Sequence, residues 1–157
     1  MTYSADYLLD QWLEEDTPIY VHPKSPFKRV DLLASSRHIK ITLPSQGEDV
    51  ILADTPHAIH LHETDMPPRF YLPLTATTLS LLRPSKSGLK TQCPYKGEAE
   101  YYDVVLPDGS VGENLVWYYT RPTNECAGIA GMVCFYNEKV DIWIEGAKQE
   151  RSKTIFS

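Results

Sequence analysis

The sequence predicts a mainly β domain preceded by a short N-terminal helix. Several short segments alternate apolar and polar residues with a period of two, as strands with one buried face do. Turn sequences rich in glycine, proline and aspartate separate these segments. The chain also has 12 prolines among 157 residues, which disfavours a helical bundle. Together these observations indicate an all-β sandwich or a partly open barrel.

The helix is predicted at residues 3–15. Tyr7, Leu8 and Trp12 fall at helical spacing, and acidic residues occupy the opposite face. Residues 16–27 contain three prolines, so we expect an extended connector there.

Strands are expected along the rest of the chain. The period-two or apolar segments are Arg37–Leu43, Val50–Ala53, Ala58–Glu63, Phe70–Pro73, Leu79–Leu82, Tyr101–Leu106, Val111–Tyr119, Gly131–Tyr136 and Val140–Ile144. Hairpin turns are predicted at Ser45–Asp49, Pro107–Ser110 and Asn137–Lys139. A single helical turn is predicted at Thr123–Gly128, and the polar residues 147–157 are expected to fray.

Composition and charge restrict the class of partner. The net charge of −6 disfavours nucleic-acid binding, which needs a surplus of lysine and arginine. No apolar run is long enough to span a membrane, and the N-terminus has no secretory signal pattern. Three cysteines without CxxC spacing disfavour both a disulfide framework and a four-cysteine zinc site. We therefore expect a cytoplasmic protein with reduced thiols and no metal or cofactor. Its oligomeric state stays open, a homodimer included.

The residues also resemble domain-of-unknown-function family 427, which carries a nucleotidyltransferase-like label. The resemblance lies in Arg29-Val30, Ser35–Ile39, Ala53–Thr55, Glu63-Thr64, Pro67–Pro73, Cys93–Gly97, Val116–Tyr119 and Ile129–Gly146. It implies a β-tent (Mss4-like) fold, in which two antiparallel sheets meet at an angle. The resemblance covers residues 28–146, which we expect to be the β-tent domain. The predicted N-terminal helix and connector (1–27) and the polar tail (147–157) lie outside it. Relatives of this fold hold zinc with two CxxC pairs, which this chain lacks.

The segment Cys93-Pro94-Tyr95-Lys96-Gly97 is the strongest candidate for a site. It places a thiol, a phenol and an amine within four positions, with a proline after the thiol and a glycine after the amine. A lysine beside aromatic residues can serve as a base or bind an anion, and Tyr95 can handle protons. A neighbouring cation would make Cys93 a nucleophile, although an isolated cysteine is most often a small buried apolar residue.

Two charged residues flank the predicted turn at 65–68. Glu63 is a candidate general base, and Arg69 can hold a carboxylate or a phosphate in a fork. Alternatively the two form a salt bridge that only fixes the turn. The expected substrate-binding side chains are Arg69 and the wall and rim residues Tyr71, Trp117, Tyr119, Tyr136 and Asp141. The aromatic members are equally compatible with an ordinary core.

His60 and His62 share one face of their predicted strand, as a metal-binding HxH pair would. No third ligand is evident on that face, because Glu63 points to the other side. Exposed strand histidines are the simpler interpretation, and no metal site is predicted.

The sequence slightly favours an enzyme over two other functions. Glu63, Tyr95, Lys96 and Cys93 would act on a small polar or anionic substrate by acid–base chemistry, with the reaction unassigned. The alternative is a binding module that captures a small molecule or a peptide end between aromatic walls. A third hypothesis is a structural protein that docks through the N-terminal helix.

Overall fold

The computed structural model describes residues 29–157, together with the backbone of Gln11–Glu14 and Thr17–Tyr20. Three short segments are 3-10 helices: Leu74–Ala76, Leu79–Leu81 and Asn124–Ile129. None of the helices in this described part is long and apolar enough to cross a membrane. The strands are, in chain order, β1 (Gln11–Glu14), β2 (Thr17–Tyr20), β3 (Val30–Ala34), β4 (Ile39–Ser45), β5 (Glu48–Thr55), β6 (Ile59–Glu63), β7 (Arg69–Leu72), β8 (Leu82–Pro84), β9 (Thr91–Cys93), β10 (Gly97–Val105), β11 (Val111–Tyr119), β12 (Val133–Phe135), β13 (Asp141–Ile144) and β14 (Ala147–Lys148).

Apart from the β1–β2 hairpin, the described strands form two antiparallel sheets. The larger sheet has the order β3-β6-β7-β12-β11-β10-β8, with β9 also paired to β10, and it curves into a half-barrel. The smaller sheet has the order β14-β13-β4-β5. The prediction of a mainly β chain with two antiparallel sheets is therefore confirmed.

Two predicted hairpins are confirmed, and their turn residues explain them. The β4–β5 turn contains Gln46 and Gly47, whose φ angles of 53° and 81° are those of a tight hairpin connection. In the β10–β11 turn, Gly109 has a φ of 86°, and the Asp108 carboxylate accepts a hydrogen bond of 2.8 Å from the amide of Ser110.

The two sheets pack against each other through an apolar core. The smaller sheet contributes Ile39, Ile41 and Leu52, and the larger sheet contributes Val116 and Phe135. Each of these side chains is at most 2% exposed. Burying a side chain of this size stabilises the fold by roughly 1.5–3 kcal/mol, so this core holds the sheets together.

The larger sheet has a second apolar face. Because successive strand residues point to opposite sides, Trp117 and Cys134 face away from the smaller sheet, as does Tyr71 of β7. These side chains form a separate buried cluster with Tyr101 and Tyr119. The candidate site lies on this second face.

The prediction of a helix at residues 3–15 is wrong at residues 11–14. Residues 11–14 form β1, which pairs with β2 in the register Glu14↔Thr17. A weak helical pattern was overridden because the predicted connector offers a strand partner. Residues 1–10, 15–16 and 21–28 lie outside the described residues.

Three further expectations also need correction. Leu79–Leu81 is a 3-10 turn, and the strand begins at Leu82. β12 and β13 do not form a hairpin, since they belong to different sheets and Asn137–Lys139 crosses between them. β3, β8, β9 and β14 were not predicted, because the longest of them has five residues and none of them has clear alternation.

The polar tail at 147–157 is not frayed. The amide of Gln149 donates to the carbonyl of Ile142 at 2.8 Å, and the hydroxyl of Thr154 donates to the carboxylate of Glu138 at 2.5 Å. The polar composition predicted a solvated tail, but these hydrogen-bond donors of the tail bond to buried acceptors in the domain.

Candidate functional site

A cavity of about 440 Å³ opens on the second face of the larger sheet. It brings together eight of the sequence-predicted site residues, from six different strands and loops. They are Glu63, Arg69, Cys93, Tyr95, Lys96, Trp117, Tyr119 and Tyr136. Residues that lie far apart in the sequence therefore meet in one cavity.

Two predicted residues do not line this cavity. Tyr71 is 0% exposed and lies behind the wall, where its hydroxyl accepts a hydrogen bond of 2.9 Å from the Trp117 indole. It positions the tryptophan and does not reach the cavity. Asp141 lies on the smaller sheet, where its carboxylate pairs with Arg151 at 2.9 Å and with Lys148 at 3.6 Å.

The loop Pro94–Lys96 joins β9 to β10 and is held by the segment that precedes the third 3-10 helix. The hydroxyl of Thr123 donates to the carbonyl of Tyr95 at 2.7 Å, and the amide of Thr123 donates to the carbonyl of Lys96 at 2.9 Å. Gly97 has a φ of 118°, a backbone conformation that residues with a Cβ atom rarely adopt. This anchoring keeps Lys96 only 8% exposed.

Replacing Gly97 by alanine should destabilise the protein by about 1–3 kcal/mol through backbone strain. The added Cβ would also lie 3.1 Å from the carbonyl oxygen of Arg121, so the loop that carries Lys96 would shift. Gly109→Ala is the matched control, because Gly109 has a φ of 86° but no atom within 4 Å of an added Cβ. Urea unfolding of both variants checks this. Equal losses of stability would contradict the role of the close contact.

Lys96 and Glu63 form a nearly buried ion pair at the cavity wall. The ammonium nitrogen lies 3.3 Å from Glu63 Oε2, and the side chains are 9% and 12% exposed. Glu63 ends β6, and the turn that follows places Asp65 at a φ of 65°. The predicted alternative of a Glu63–Arg69 salt bridge is wrong, because Glu63 pairs with Lys96 and Arg69 pairs with another carboxylate.

Arg69 is paired with Glu138, a residue that the sequence argument missed. Two parallel bonds of 2.5 Å and 3.0 Å join the guanidinium to the carboxylate, and the side chains are 5% and 0% exposed. The guanidinium also lies 5.3 Å from the centre of the Trp117 ring. Burial alone would raise the pKa of Glu138, but hydrogen bonds from Arg69 and Thr154 outweigh burial and hold it below its ordinary value.

Aromatic side chains form a large part of the remaining wall. Trp117 and Tyr136 meet edge to face, with ring centres 4.6 Å apart. Burial raises the pKa of both Tyr119 and Tyr136 well above the ordinary value, and burial followed by the charge of Glu63 raises that of Tyr95. These phenols therefore stay protonated near neutral pH and are hydrogen-bond donors.

The three thiols differ in their access to the cavity. Cys93 lines it and is partly exposed, whereas Cys126 and Cys134 are buried. Burial raises the pKa of Cys126 to about 11 and that of Cys134 to about 12. The two buried thiols are therefore poor nucleophiles.

His60 and His62 do not contribute to the cavity. His60 is 7% exposed and packs edge-on against Phe70, at 4.8 Å between ring centres. The two imidazole centres are 6.5 Å apart. Among residues 29–157 no three metal-ligating side chains come together.

Sequence reasoning also missed Tyr101, Ile155 and Phe156. Tyr101 stands opposite Trp117 in the β10–β11 register, which a correct hairpin alignment could have revealed. Ile155 and Phe156 belong to the tail and reach the cavity rim, with 90% and 46% of their surface exposed. No local sequence pattern predicts their role, because their position depends on how the tail is attached to the domain.

Comparison with known proteins gives one family match. The family model described as domain of unknown function (DUF427) matches residues 31–146, which is most of the chain. No curated protein matches the sequence.

Proposed function

The chain belongs to the DUF427 family, and from the chemistry of the cavity we propose that it is a small-molecule enzyme that moves protons by acid–base catalysis. One observation carries the proposal: a carboxylate and an ammonium group lie 3.3 Å apart, nearly buried, on the wall of an aromatic cavity. A base beside an electrophile is what proton abstraction next to a carbonyl group requires.

The proposed reaction begins when the Glu63 carboxylate takes a proton from the carbon next to a carbonyl. The electron pair of that C–H bond moves to the carbonyl oxygen, where the ammonium of Lys96 stabilises the developing negative charge. The phenol of Tyr95 donates a second hydrogen bond to this oxygen. Glu63 then returns its proton to a carbon of the substrate, so an isomer or the exchanged starting compound is formed. Cys93 has no role in this step.

A panel of ketones that carry an aromatic ring, headed by 4-hydroxyphenylacetone, tests the proposal. In deuterated buffer the wild-type protein should exchange the protons next to the carbonyl, and Glu63→Gln should lower this rate by about 10²–10⁴-fold. Proton NMR follows the loss of signal. Glu98→Gln is the matched control, since Glu98 lies outside the cavity wall and its side chain is 50% exposed. Exchange by the wild type no faster than in buffer alone would refute the proposal.

A non-catalytic binding module is the second candidate. The pairing of the two cationic side chains with carboxylates favours it. Both Lys96 and Arg69 already have carboxylate partners, so the cavity is electrostatically satisfied before any substrate enters. This alternative predicts saturable binding of the ketones without proton exchange.

We also propose that the two sheets correspond to the β-tent (Mss4-like) arrangement that the family resemblance implies. A cytoplasmic location is part of the proposal, supported by the three free cysteines.

A further inference from the structure

The charges around the cavity are balanced. In the described part of the chain, the charged side chains that line it are Glu63, Lys96 and Arg69. The first two neutralise each other, and the bidentate contact from Glu138 behind the wall neutralises the third. All four side chains are at most 12% exposed, so water screens these pairs weakly.

A charged ligand would therefore enter at a cost. It would lose its own hydration and find no unpaired opposite charge, unless it broke one of the two existing pairs. Breaking a pair leaves one of its two charged side chains, the carboxylate or the cation, without its partner inside the protein, which is strongly unfavourable. The net charge of −6 adds a general repulsion of anions.

The rest of the wall suits an uncharged ligand. Trp117, Tyr119 and Tyr136 offer flat apolar surfaces. The protonated phenol of Tyr119 offers a hydrogen bond without charge, whereas the hydroxyl of Tyr136 is hydrogen-bonded to Tyr101. Flat walls favour a planar ring, and neutral donors favour carbonyl or hydroxyl oxygens.

From this balance we infer that the cavity selects an uncharged, ring-containing carbonyl compound and rejects anions and cations of the same size. The part of the inference that concerns the ligand's carbonyl group rests on the proposed function. The selection against charge rests on the two ion pairs and does not depend on the proposed function.

Three probes that share one ring test the selection. They are 4-hydroxyphenylacetamide, which is uncharged, the anion 4-hydroxyphenylacetate and the cation tyramine. Calorimetric titration of the wild-type protein should give the amide an affinity at least about tenfold higher than either ion, which is about 1.4 kcal/mol. Equal or tighter binding of either ion overturns the inference. The absence of amide binding at about 10 mM also overturns it, because a Kd of that size corresponds to only about 2.7 kcal/mol of binding free energy.

Two variants then change the charge balance in opposite directions. Glu63→Gln frees Lys96, so binding of the anion relative to the amide should rise at least about tenfold. Lys96→Met frees Glu63 and should shift the preference toward tyramine by a similar factor. Glu98→Gln is the control and should leave all the ratios unchanged, because the Glu98 carboxylate is outside the cavity. Unchanged ratios in both cavity variants would overturn the inference.

The test separates this inference from the proposed function. Preferential amide binding without proton exchange on the ketone panel would refute the catalytic proposal and leave the selection against charge intact. Proton exchange together with tighter binding of an ion would do the reverse.

Discussion

Replacing either Arg69 or Glu138 by methionine should lower the free energy of unfolding by about 3–5 kcal/mol, because each change leaves a buried charge without its partner. The two side chains are 5% and 0% exposed and share two hydrogen bonds. Little water can reach the charge that remains. Urea unfolding followed by tryptophan fluorescence measures the loss.

The double variant Arg69→Met/Glu138→Met should be much more stable than the sum of the two losses predicts. It removes both charges together, and methionine fills most of the vacated volume. The control is the surface pair Lys90–Glu100, 3.6 Å apart and 58% and 34% exposed, whose loss should cost under about 1 kcal/mol. Strictly additive losses at Arg69 and Glu138 would contradict a direct coupling between the two residues.

Acid should weaken the same contact. The pKa of Glu138 in the folded protein lies below its ordinary value of 4.5. Its contribution to stability is therefore complete above that ordinary value and is lost as the pH falls through the lower folded value. Between pH 6 and pH 2 the wild-type protein should lose more stability than the double variant, which has no carboxylate at this position.

The second large effect concerns catalysis. Lys96→Met should lower the rate of proton exchange on the ketone panel by about 10²–10³-fold, the usual cost of removing one donor to a developing oxyanion. The methionine side chain keeps most of the length of lysine, so the cavity should keep its shape. The measurement is exchange at saturating ketone, so that a loss of binding is not read as a loss of rate.

A lysine outside the cavity provides the comparison. Lys90→Met removes an exposed ammonium that pairs only with surface carboxylates, and its exchange rate should equal that of the wild type. A Lys96→Met rate within about threefold of wild type would correspond to less than 1 kcal/mol of transition-state stabilisation. Lys96 would then have no role in the chemistry.

Local signals predicted the parts of this fold that depend on local geometry. The β10–β11 hairpin follows from Asp108-Gly109, and the β4–β5 hairpin follows from Gln46-Gly47 between alternating segments. The reactive residue types in Cys93–Gly97 likewise predicted one wall of the cavity, because a short loop keeps its residues together.

Contacts between distant residues were not predictable in this way. Arg69 and Glu138 are 69 positions apart, and a single sequence contains no sign that they meet. Sequence proximity suggested Glu63 as the partner of Arg69 and suggested that β12 and β13 pair with each other. In both cases contacts between segments that are distant in the sequence decided the outcome.

We expect the residues of the two ion pairs at the cavity to tolerate substitution to different extents among related proteins. Lys96 and Glu63 lie on a short loop and at a strand end, so paired substitutions there can alter ligand preference while the scaffold persists. Glu138 instead lies in the crossing between the two sheets, and it holds both Arg69 and the tail residue Thr154. New specificities should therefore arise first at Lys96 and Glu63, and a lineage that loses Glu138 should lose Arg69 with it.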